Sequence, residues 1–164
     1  MLSAAQEMSD EVVSLCSLHT GSEVFGIDTR KIREVLGDCE VQQVPMAPAY
    51  IAGLIPNRGE VLTTVNFRAL LGLPEKPGAH SVLVLEDEDC RELFGLVVDS
   101  VGGVVTASGR MLELNPSTLA YRCKALFDGV YKMPAGLLIR IDPKKLRPSR
   151  LAETGLFRTN KKGE

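Results

Sequence analysis

Apolar and polar positions alternate early in the chain. In Val24 to Asp28, Phe25 and Ile27 fall on one face with a period of two, the mark of a half-buried strand. Val12 to Leu18 is a second β-like run, and HTGSE (19–23) between them collects turn residues, so the two predict a hairpin with a five-residue connection. Ile32, Val35 and Leu36 are spaced i, i+3, i+4, which predicts a turn or two of helix ended by Gly37. Val41 to Val44 predicts a short strand stopped by Pro45, and Pro45 and Pro48 bracket a bend. In AGLIPNRGEVLTTVNFRALLGL (52–73) a hydrophobic stretch is broken by Arg58 and Gly59. It resumes as a strand over Val61 to Phe67 and turns into a helical stub over Arg68 to Leu71.

LPEKPGAH (73–80) is rich in Pro and Gly and reads as a loop. Beyond it, Ser81 to Leu85, Leu93 to Val98, Val104 to Ala107 and Leu137 to Ile141 predict strands. EDEDCRE (86–92) is a charged hairpin tip, and Gly102-Gly103 permits a bulge. Asp142 before Pro143 is an N-cap followed by a favoured first helical residue, so Lys144 to Glu153 predicts a closing helix. The tail FRTNKKGE predicts disorder. Many short strands with stubs of helix predict a mainly β barrel or sandwich, and no βαβ alternation suggests a parallel sheet.

At 164 residues with 45% hydrophobic positions, the chain suits one domain with a substantial core. Trp is absent, so that core rests on Val, Leu and Ile. A net charge of −2 argues against nucleic acid, which needs a clustered basic surface. The one basic cluster, Lys144 to Arg150, reads as a helix flank. No apolar run reaches the roughly 20 residues of a membrane helix, and MLSAAQEMSDEVV lacks a signal pattern, so a cytoplasmic location is expected. Cys16, Cys39, Cys90 and Cys123 are scattered without metal-ligand spacing to one another or to a histidine. They read as reduced thiols, with Cys90 the most exposed.

Chemistry is sparse. Neither a phosphate-binding glycine loop nor a nucleophile elbow is present. His19 and His80 lie in turn-like sequence, and Asp28, Asp99 and Asp142 each end an apolar run, where acids usually cap a turn or helix. Convergent reactive groups are not evident, so a binding surface is expected rather than catalysis, with no metal and no cofactor.

Six segments, in order from residue 12 to about 146, resemble the CheW family of chemosensory adaptors. VFGIDTRKIREVL (24–36) resembles its first hallmark, and VPMAPAYIAG (44–53) its Pro-bounded segment leading to a glycine. Arg58-Gly59 falls on its Asn-Leu-Arg-Gly signature, followed by the strand Val61 to Arg68. FGLVVDSV (94–101) and LLIRIDPKKL (137–146) resemble its later hallmarks. The resemblance implies two small five-stranded SH3-like β-barrels packed together, with a C-terminal helix. The implied bounds are a tail over 1–11, the domain over 12–153 and a tail over 154–164.

It also implies a non-enzymatic chemotaxis role at membrane-associated receptor arrays. The partners would be the cytoplasmic tip of chemoreceptors and the regulatory domain of a CheA-type histidine kinase. By resemblance, Gly53, Arg58, Gly59, Gly95 and Val104 are candidates for receptor contact, and Ile32 and Glu34 for kinase contact. Each has a structural alternative: core packing for Ile32 and Val104, backbone geometry for the glycines, loop tethering for Arg58. The chain departs from the family pattern at Pro56, Asn57, Thr63 and Asn66, where the family usually has Asn, an apolar residue, Pro and Asp. These departures leave room for a scaffold of a pilus or gliding pathway, or for a peptide-binding barrel unrelated to a kinase.

Overall fold

The computed structural model describes residues 11–89, 91–113 and 125–154. Eleven strands are defined within them: β1 (Val12–Thr20), β2 (Glu23–Asp28), β3 (Ile32–Leu36), β4 (Ile51–Asn57), β5 (Glu60–Asn66), β6 (Ser81–Asp87), β7 (Glu92–Val98), β8 (Ser100–Ser108), β9 (Leu112–Glu113), β10 (Phe127–Met133) and β11 (Gly136–Ile141). Three short helices are defined as well: α1 (Phe67–Leu70) after β5, α2 (Pro143–Leu146) after β11, and α3 (Pro148–Thr154) directly after α2.

The strands form a six-stranded sheet, β8-β1-β2-β11-β10-β9, and a five-stranded sheet, β3-β6-β7-β5-β4. The resemblance implied five strands in each; the extra one is the two-residue β9. Both sheets are mixed. β2 runs parallel to β11 through Phe25↔Ile139, and β5 parallel to β7 through Thr64↔Gly95, pairings that the sequence did not suggest. The six-stranded sheet must curl on itself, because its two outer strands β8 and β9 are joined by only three residues, Gly109–Met111. The five-stranded sheet curls likewise: Gln42, just beyond β3, bridges to Leu54 on the far outer strand β4.

The wall formed by β6 is apolar on both faces. On β6, Val82 and Val84 point into the five-stranded barrel with Ile55 and Leu62, while Leu83 and Leu85 point the other way. That second face meets Leu18, Phe25, Ile27, Phe127 and Ile141 of the six-stranded sheet, so one core is shared between the barrels. Phe25 stands edge-on to Phe67 with ring centroids 4.8 Å apart, a favourable aromatic geometry. Two-sided burial explains why SVLVL reads as a continuous apolar run rather than an alternating one.

Several expectations need correction. Ile32 to Leu36 is a strand against β6, preceded by a single 3-10 turn over Thr29–Lys31, and not a helix. Val41 to Val44 is not a strand beyond the one bridge at Gln42. The first hairpin closes more tightly than a five-residue loop, with Thr20 paired to Glu23. His19 therefore lies within β1 and not in a turn. The closing helix is broken in two: Arg147 is extended (φ −61, ψ 141), as the residue before Pro148 should be. The start of that helix is as expected, since Asp142 accepts from the Lys144 N–H at 3.0 Å and Pro143 sits in the first turn. The Gly102-Gly103 bulge is also present: Cys16↔Val104 gives way to Leu18↔Val101, leaving an extra residue on β8. Cys90, Cys123 and the tail FRTNKKGE lie outside the described residues.

Candidate protein-interaction site

The Arg58-Gly59 pair is the two-residue turn of the β4–β5 hairpin, closed by Asn57↔Glu60. Both residues are left-handed, Arg58 at φ 52 and Gly59 at φ 81. That is the turn sense whose twist matches the flanking strands. Glycine adopts it freely; Arg58 does so against a strain of about 1 kcal/mol or more. The Arg58 side chain is 78% exposed.

Arg58 donates from Nη2 to Glu34 Oε1 at 3.3 Å and from Nε to Oε2 at 3.4 Å. Two candidates assigned by resemblance to different partners thus touch each other. Glu34 lies on β3, at the opposite end of the sheet order from β4, so their contact follows from the curling of the sheet. So exposed an ion pair contributes at most about 1 kcal/mol, and it orients the guanidinium more than it stabilises the fold. Beside Glu34, Val35 is 48% exposed, while Ile32 is half-buried against the shared core.

Gly53 and Gly95 are buried on either side of Thr64, whose Oγ1 donates to the Gly53 carbonyl at 2.9 Å. A Cβ on Gly95 would lie 2.8 Å from Thr64 Cγ2 and 2.9 Å from Val82 Cγ1. A Cβ on Gly53 would lie 2.2 Å from the Gln42 carbonyl oxygen. Internal packing therefore accounts for glycine at both positions. Val104 stands apart, 64% exposed on β8 of the other sheet.

The acids each have structural partners. Asp28 caps the 3-10 turn and chelates Arg30, whose hydrogen bonds hold its carboxyl below the usual carboxylate range. Asp99, at the junction of β7 and β8, accepts from Arg68 Nη1 at 2.7 Å and from the Gly21 N–H at 3.0 Å. It thereby ties α1 of one barrel to the first hairpin of the other. Asn66 caps α1 through the Ala69 N–H at 3.2 Å, as an Asp would, and Arg68 finds its charge partner in Asp99 instead. His80 Nδ1 lies 3.7 Å from Asp38. Among the described residues no group of three or more His, Cys, Asp or Glu could hold a metal ion. No described helix is long and apolar enough to cross a membrane.

One feature escaped the sequence altogether. Ser17, His19, Val24, Val105, Met133 and Leu138 line a largely apolar cleft of about 640 Å³ on the six-stranded barrel, rimmed by Leu137, which is 62% exposed. Its lining comes from five strands, β1, β2, β8, β10 and β11, so no single segment of the sequence marks it.

Paired barrels that present a charged, preformed turn and a separate apolar cleft have the build of a binding protein. The chain belongs to the CheW-like domain family, whose model matches residues 14–150. It is 27% identical over 150 residues to the chemotaxis protein CheW of Rhizobium meliloti (strain 1021), covering 91% of this chain and 96% of that protein. It is 25% identical over 151 residues to the chemotaxis protein CheW of Treponema pallidum (strain Nichols), covering 87% and 86%. The fold matches the crystal structure of the scaffolding protein TtCheW from Thermoanaerobacter tengcongensis with a TM-score of 0.73, at 21% identity over 80% of this chain and 90% of that one.

Proposed function

We propose that the protein is a non-enzymatic chemosensory adaptor. It couples the cytoplasmic tip of chemoreceptors to the regulatory domain of a CheA-type histidine kinase, within cytoplasmic arrays at the membrane. The observation that carries this reading is the Arg58–Glu34 contact. It sets a receptor candidate and a kinase candidate side by side on one exposed surface, where a scaffold could hold two partners together. Arg suits such an anchor because its planar fork makes several fixed hydrogen bonds.

The departures favour one second reading. Pro56, Asn57 and Thr63 all lie on the hairpin that carries Arg58, with Pro56 exposed and the other two part-exposed. Change concentrated there fits a scaffold of a pilus or gliding pathway with a different receptor. Calorimetric titration with the receptor tip and with the kinase regulatory domain tests both. Binding is expected on the order of micromolar. Arg58→Ala should weaken receptor binding about tenfold while the melting temperature stays within about 2 °C of wild type. No binding to either partner would end the adaptor reading; kinase binding without binding to the flagellar-type receptor would favour the second.

A further inference from the structure

The five-stranded barrel is shut between its outer strands at two separated places. One is backbone: Gln42 and Leu54 exchange N–H···O=C bonds, each 2.8 Å long. The other is the exposed side-chain pair of Arg58 and Glu34. Gln42↔Leu54 is antiparallel. Moving two residues along each strand sets Glu40 opposite Pro56, where the next pair of mutual hydrogen bonds would form. Pro56 has no N–H to donate. Among the described residues, no further backbone hydrogen bond joins residues 37–41 to β4.

We propose that Pro56 holds this seam unzipped, making the β4–β5 hairpin a flap fastened at Gln42 and at Arg58 and free between them. The proline fits only because its missing donor faces the seam: Asn57↔Glu60 closes the turn as a mutually bonded pair, so Pro56↔Val61 is a pair whose backbone groups point outward. Under the seam, Cys39 and Val41 pack on Ile55, Leu62, Val82 and Val84, so opening the flap uncovers the barrel interior. Any ligand that takes Arg58 from Glu34 removes one of the two fastenings. The device does not depend on who that ligand is.

Amide hydrogen exchange, resolved by NMR on the full chain, tests this without a partner. The Gln42 and Leu54 amides, which cross the seam, should exchange at least about tenfold faster than the slowest amides of β6 and β7. Pro56→Ala restores a donor toward Glu40 and should slow both seam amides about tenfold relative to β6 and β7. Arg58→Ala should speed both while leaving β6 and β7 unchanged. Seam amides as slow as those of β6 and β7 in the wild type would overturn the proposal. So would Pro56→Ala that folds yet leaves their exchange unchanged. Should that variant not fold, unchanged seam exchange in Arg58→Ala would overturn it as well.

Discussion

Gly53→Ala separates two roles for a residue that resemblance places at a receptor groove. The added Cβ would sit 2.2 Å from the Gln42 carbonyl oxygen and 2.8 Å from its carbon, both backbone atoms. Gln42 cannot step aside without surrendering its two hydrogen bonds to Leu54. Each contributes about 1 kcal/mol net. Position 53 also has φ 149, which L residues rarely adopt, adding about 1–3 kcal/mol of strain. Together the loss is about 4 kcal/mol. For a chain of this size that lowers the melting temperature by about 10 °C. Thermal unfolding followed by circular dichroism, with calorimetry to check two-state behaviour, measures it. A variant that melts within about 2 °C of wild type would refute the packing argument. If that variant also lost receptor binding, Gly53 would be a contact residue instead.

Other expectations follow from single environments. Val98 is 1% exposed in the shared core, so Val98→Asp buries an unpaired charge at several kcal/mol and should abolish folding; a native circular dichroism spectrum would contradict the strand placement. The Arg30 hydrogen bond holds the Asp28 carboxyl below the usual aspartate range, so its contribution is full above that range and is lost as pH falls through the lower folded pKa. The melting-temperature gap between wild type and Asp28→Asn should therefore be widest near neutrality and shrink in strong acid; a gap that widens on acidification would reverse the sign. Burial, and then the Asp38 charge, push the Cys39 thiol up, so peptide mapping should find it alkylated more slowly at mildly basic pH than a free thiol, and an equal rate would count against that environment.

What could be read from the chain was local. Asp142-Pro143 and Gly102-Gly103 each carry their own backbone chemistry, and the N-cap and the bulge stand where that chemistry puts them. The segment Ile32 to Leu36 misled because Val35, counted as part of an inward helical stripe, is 48% exposed on a strand. A bulge between Ile32 and Glu34 disturbs the alternation further. FDGVYKM carries a weak strand signal although Phe127, Gly129 and Tyr131 alternate inward. Gly129 holds the middle place because a Cβ there would meet the Glu113 carbonyl at 2.6 Å, and a glycine carries no apolar signal. The Arg58–Glu34 contact has no local trace, since only the curling of a whole sheet brings β3 to the tip of the β4–β5 hairpin.

The parallel pairing of β2 with β11 also dictates an order of events during synthesis. Strands β3 to β7 are consecutive in the chain and can assemble as soon as they leave the ribosome. The first hairpin emerges earlier still, yet its neighbour on the β2 side, β11, is the last strand among the described residues. Until then Phe25 and Ile27 are covered by the five-stranded sheet and, once β10 is made, by Phe127, whose ring centroid lies 5.6 Å from that of Phe25. A nascent chain arrested before Ile139 would therefore present the β2 edge of the first hairpin unpaired beside a five-stranded sheet whose strands are all already made.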